Sequence, residues 1–92
     1  MDWSICLEQA PGIEIREAPD GMVVYDAGRD RLHYLNPTAA LLLESCDGTL
    51  PAVELPALLA AAFELAVPPT GEVETCLKTL LDQGLLIAAR AG

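Results

Sequence analysis

An α+β domain, with a three-stranded antiparallel meander followed by three helices, is what this sequence predicts. Three observations carry the prediction. Apolar residues alternate with polar ones up to about Leu35 and recur at helical spacing after it. Two short turns rich in Pro, Asp and Gly separate the first three apolar runs. At 92 residues the chain is long enough for one core and too short for two.

Ile13 and Ile15 alternate with Glu14, Arg16 and Glu17, the signature of a half-buried strand over residues 13–18. Pro19-Asp20-Gly21 then forms a turn, because proline fixes φ and glycine accepts a positive φ. Met22 to Tyr25 is β-branched and aromatic, a second strand. Asp26 to Asp30 is a second polar turn around Gly28, and Arg31 to Leu35 a third strand. No further strand follows it soon, so the third strand is expected at a sheet edge.

Asn36-Pro37 opens a first helix, with Asn as N-cap and Pro at the first helical position. Gly48 is expected to stop it. In a second helix, Leu55, Leu58, Leu59, Ala62 and Phe63 form one apolar stripe, and Pro56 must fall in its first turn. A third helix runs from about Gly71 to Gln83, capped by Thr70. Its inner stripe is Val73, Leu77, Leu80 and Leu81, with Cys76 at the margin. Leu85-Leu86-Ile87 is short and β-prone, and is expected to pack back on the sheet. Three strands cannot bury their inner face alone, and three short helices stacked on it complete two layers. The expected fold is a small winged helix-turn-helix domain occupying residues 1–92, with its core at about 12–87.

Composition narrows the function. Five basic against 14 acidic side chains give a formal charge of −9. Binding to phosphate backbones or anionic membranes depends on Lys and Arg, which are scarce here. No stretch reaches the ~20 apolar residues of a bilayer span. Met1-Asp2-Trp3 lacks a basic opening, so no signal peptide is expected. Cys6, Cys46 and Cys76 are odd in number and far apart, neither a disulfide frame nor a zinc site. Together these features predict a cytoplasmic protein with reduced thiols.

Catalysis is not expected. The single histidine, His33, sits mid-strand with no Ser or Cys beside it in sequence. The carboxylate pairs Glu72/Glu74 and Asp26/Asp30 fit no motif and read as solvated faces. Asp26, Asp30 and His33 are too few at fixed spacing for a calcium loop, and no glycine-rich phosphate loop occurs. Neither a cofactor nor a metal is expected. Ser45 lacks the context a carrier protein needs at a helix start. What remains is the third strand, whose unpaired edge invites pairing by another chain unless the third helix or the chain terminus covers it.

The ordered set Asp20-Gly21-Met22-Val23-Val24, Leu35-Asn36-Pro37-Thr38-Ala39-Ala40, Asp47-Gly48-Thr49 and Leu77 through Leu80 to Gly84-Leu85 resembles the PqqD-like proteins, the RiPP recognition elements. The resemblance spans residues 12–87. It implies a peptide chaperone that binds the leader of a ribosomally made precursor by strand addition and presents it to a modifying enzyme. That partner would be a radical-SAM enzyme or a leader protease and cyclase. Carried onto this chain, the leader adds along Arg31, Leu32, His33, Tyr34 and Leu35, facing a wall of Val73, Cys76, Leu77 and Leu80. Asn36 and Gly48 carry over as structural residues.

Pro51 and Pro56 stand where relatives have a Ser/Thr cap and a run of Glu, Glu72 stands for Asp, and Cys76 for a larger apolar residue. A small residue at 76 implies a locally wider cleft and a bulkier leader anchor. Arg31 and Lys78 are expected to suit acidic leader residues. Two other classes compete with the chaperone: a winged-helix DNA-binding regulator, which the charge opposes, and a structural subunit that forms a homodimer through the same edge.

Overall fold

In the computed structural model, which describes residues 2–89, the predicted meander and helices are present, and a second sheet joins them. The strands are β1 (Cys6–Gln9), β2 (Ile13–Ala18), β3 (Gly21–Asp26), β4 (Arg31–Leu35), β5 (Asp47–Pro51) and β6 (Leu86–Ala88). The helices are α1 (Pro37–Ser45), α2 (Leu55–Ala62) and α3 (Thr70–Asp82), and a 3₁₀ turn at Ala52–Glu54 precedes α2. One sheet has the order β2-β3-β4 and the other β5-β1-β6, all antiparallel.

The meander closes as its turn residues require. Ala18 pairs with Gly21 across Pro19-Asp20. Gly21 has φ 145, and a Cβ there would overlap the Leu35 carbonyl oxygen of β4. Only glycine lets the hairpin lie this close to the end of β4. At the second turn Asp30 takes φ 52, and its carboxylate accepts a hydrogen bond from the Tyr25 hydroxyl at 2.9 Å. Asp26, buried at the same turn, accepts from the Arg29 amide at 3.2 Å.

α1 lies at the centre of the molecule, against β3, β1, α2 and α3. Asn36 caps it, its Oδ1 accepting from the Ala39 amide at 2.8 Å. Its Leu42 and Leu43 are fully buried with Leu7, Val24, Leu55, Leu59, Val73, Leu77, Leu80, Leu85 and Leu86, forming the aliphatic core.

Four sequence expectations need correction. Gly48 does not end α1. The helix stops at Ser45, and Gly48 sits within β5 at φ 88, opposite a shift in the β1–β5 register. Thr70 is the first residue of α3 and makes no capping bond, the N-cap being Pro69. In α2 the predicted stripe holds at Leu55 and Leu59, with Leu58 partly buried against the core and Pro56 buried beside them, while Ala62 and Phe63 are exposed. Residues 86–88 pair with β1, not with the meander. β1 joins partners distant in sequence on both sides, so no local turn announces it.

Candidate functional site

β4 pairs with β3 on one side, and among the described residues no strand pairs with the other. The ladder determines which groups that edge offers. The Ala27 amide donates to the Gly12 carbonyl at 3.2 Å, just outside the Ile13–Asp26 pair. That makes Ile13–Asp26 a non-hydrogen-bonded pair of the β2–β3 ladder, and bonding alternates from there. Tyr25 and Val23 therefore turn their backbone groups to β2, and Asp26, Val24 and Met22 turn theirs to β4. Their β4 partners Arg31, His33 and Leu35 are spent on β3. Leu32 and Tyr34 point their N–H and C=O groups outward.

The side chains of Leu32 and Tyr34 stand on the outer face of the sheet, 61% and 79% exposed. Leu32 shares a recess of about 240 Å³ with Glu14, Arg16, Val23 and Tyr25. His33 and Leu35 face inward. The His33 Nε2 is buried and has no hydrogen-bond partner among the described residues.

A groove separates the end of β4 from α3, which packs mainly on α1, α2 and β6. One section, of about 220 Å³, is lined by Tyr34, Leu35, Asn36, Ala39, Cys76, Thr79, Leu80 and Gln83. It continues past Asn36 and Cys76 into a section of about 400 Å³ bordered by Thr38, Gly71, Glu72 and Thr75. A further hollow of about 410 Å³ opens beside Tyr34 at the Pro19-Asp20 turn. Arg29 ties the far end together, donating from Nη1 to the Gln83 carbonyl at 3.1 Å. It lies against Gly84, where a Cβ would come within 2.8 Å of the guanidinium. Sequence reasoning missed Arg29, because nothing local links a turn arginine to a helix end 54 residues away.

The α3 wall differs from the expected one. Val73 and Leu77 are both 0% exposed and belong to the core rather than to the groove lining. Leu80 reaches the groove only at its margin. The stripe that meets the groove is Glu72, Thr75, Cys76, Thr79 and Gln83, about 100° around the helix from the buried one. The Thr75 and Thr79 hydroxyls bond back to the Gly71 and Thr75 carbonyls at 3.1 and 3.0 Å. Their O–H donors are spent within the helix, leaving the hydroxyl lone pairs and the methyl groups for a ligand. Lys78 is exposed and lines neither section of the groove.

Neither nearby thiol is poised for nucleophilic chemistry. Burial, then the Asp47 charge and the Cys76 thiol, push the Cys46 thiol up to about 11. Burial also raises Cys76. Both are protonated at neutral pH and act as small apolar groups. Among the described residues no cluster of three or more His, Cys, Asp or Glu could hold a metal ion, and no helix is long and apolar enough to cross a membrane.

The family model for coenzyme PQQ synthesis protein D (PqqD) matches residues 21–86, from the start of β3 through α3 into β6. The chain belongs to the PqqD family. Family domains of this kind act with biosynthetic enzymes in PQQ and RiPP pathways. No curated protein and no solved structure gives a significant match. The matched span of this PqqD-family chain contains β4, the groove and α3, and excludes β1 and β2.

Proposed function

We propose that this PqqD-family chain is a non-catalytic, cytoplasmic peptide chaperone. It binds the leader of a ribosomally synthesised precursor by strand addition to β4 and presents the rest to a radical-SAM enzyme or a leader protease and cyclase. In this reading the β2–β4 meander is the wing of a winged helix-turn-helix unit. The observation that carries the proposal is the outward-facing backbone of Leu32 and Tyr34 beside a groove that α3 leaves open.

The energetics favour a reversible clamp. Ordering a peptide costs about 1–2 kcal/mol per residue. Each main-chain bond returns about 0.5–1.5 kcal/mol net. Leu32 and Tyr34 offer four such groups, so apolar anchors must supply the rest, at about 1.5–3 kcal/mol each. With Val73 and Leu77 sealed in the core, those anchors meet Tyr34, Leu35, Ala39, Cys76 and the threonine methyls. An inward-facing polar side chain on the added strand would give His33 Nε2 the partner it lacks.

The test is a titration with a precursor leader peptide, followed by backbone amide NMR shifts. Perturbations should concentrate in residues 31–36 and 72–83. Cys76→Phe should fill the groove and weaken binding. Shifts elsewhere, or unchanged affinity for Cys76→Phe, would contradict the site.

A further inference from the structure

From Leu55 to Pro69 the chain carries a single charge, Glu64, in a protein that is 21% charged. A helix apolar all round is ordinarily buried. Here α2 buries only Leu55, Pro56 and Leu59, and all eight residues 61–68 are exposed, seven of them apolar. Val53 and Val67 are 59% and 73% exposed. Trp3, Val53, Pro56, Ala57, Pro68 and Thr70 together line a hollow of about 320 Å³ on this face. The Val53 amide donates to the Trp3 carbonyl at 2.9 Å, which anchors the N-terminal segment to the same surface. Exposed apolar surface of this kind marks an interaction site.

Charge selects the occupant. The ionisable side chains that adjoin the patch in sequence, Asp2, Glu54, Glu64 and Glu72, are all acidic. The cations among the described residues lie on β2, β4, the β3–β4 turn and α3. A two-fold pairing of copies would set the same acidic rim against itself, each copy carrying −9. An anionic membrane is opposed for the same reason. A folded protein surface with an apolar centre and a Lys/Arg rim fits. Position adds a role. Thr70 lines this hollow and its neighbours Gly71 and Glu72 line the groove, so the two surfaces meet at the start of α3.

We propose that the face formed by Trp3, Val53, Ala57 and residues 61–68 docks the basic-rimmed enzyme that receives the peptide held in the β4–α3 groove. The receiving role rests on the chaperone reading, whereas the docking surface itself does not. The probes are a radical-SAM peptide-modifying enzyme, a leader protease and a peptide cyclase, purified singly and titrated with the full chain. One should bind. Val53→Asp combined with Val67→Asp should weaken that complex at least ~10-fold, leaving the thermal midpoint and leader affinity unchanged. Glu54→Lys with Glu64→Lys should weaken it at low salt and less at high salt, and this pair serves alone if the valine variant fails to fold.

Four outcomes would overturn the proposal. They are no enzyme bound, an enzyme bound equally by every variant, a wild-type dimer that the valine variant dissolves, and capture by phosphatidylglycerol vesicles. An enzyme bound through this face by a chain that binds no leader would uphold the docking surface and sink the chaperone reading.

Discussion

Replacing Tyr34 by proline separates the outward backbone of β4 from the inward one. The Tyr34 N–H points to the unpaired edge, so proline removes no bond of the folded chain. The flanking extended backbone also suits the residue before a proline. His33→Pro is the contrast. Its N–H faces Val24, and its loss orphans a ladder group in the sheet at about 1–3 kcal/mol. In the complex the roles reverse. Proline at 34 deletes one donor to the added strand, and its ring obstructs the bond to the neighbouring carbonyl. Two bonds at about 0.5–1.5 kcal/mol each amount to about 1–3 kcal/mol, or roughly 5- to 150-fold in Kd.

Tyr34→Ala, which keeps the N–H, corrects for loss of the ring. Urea denaturation reports stability, and fluorescence anisotropy of a labelled leader reports affinity. The account predicts near wild-type stability with weak binding for Tyr34→Pro, and low stability for His33→Pro. Equal destabilisation by the two prolines would refute the register. Leader affinity matching that of Tyr34→Ala would refute strand addition.

Gly21→Ala should destabilise the fold by about 1–3 kcal/mol in urea denaturation, since the new methyl overlaps the Leu35 carbonyl; a neutral substitution would mean that the hairpin and the end of β4 are further apart. The Cys46 thiol is raised from 9.0 to about 11 in the fold. Its stabilising contribution is therefore present below the unfolded value and lost as pH rises from about 9 to about 11. The stability difference between wild type and Cys46→Ala should shrink across that window, and a constant difference would contradict the assignment. Arg31→Glu should lower affinity for an acidic leader up to ~5-fold at low salt and little at high salt, as exposed pairs are screened; equal loss at both would count against a charge role for Arg31.

The legible parts of the fold were those written locally. Pro19-Asp20-Gly21 and the second turn fix the meander, and the Asn36-Pro37 cap fixes the start of α1, because each acts within a few residues. β1 and its partners β5 and β6 were not legible. Their pairing spans the chain, and β5 reads as turn residues, Asp47-Gly48-Thr49, with Pro51 tolerated on an edge strand. At the site, the edge character of β4 followed from strand order. The α3 wall did not, because periodicity identifies the buried stripe, and the most apolar residues, Val73 and Leu77, are on the core side for that very reason. The groove stripe of Glu72, Thr75, Cys76, Thr79 and Gln83 looks like any polar helix face until the helix is docked.

Amide hydrogen exchange of β4, read residue by residue with and without leader, tells an open strand edge from an occupied one. In the free chain the Leu32 and Tyr34 amides should exchange freely, while His33 and Leu35, bonded to β3, are protected. Leader should slow Leu32 and Tyr34 and leave the other two as they were. Protection of Leu32 and Tyr34 in the free chain, or their continued free exchange at saturating leader, would contradict the account.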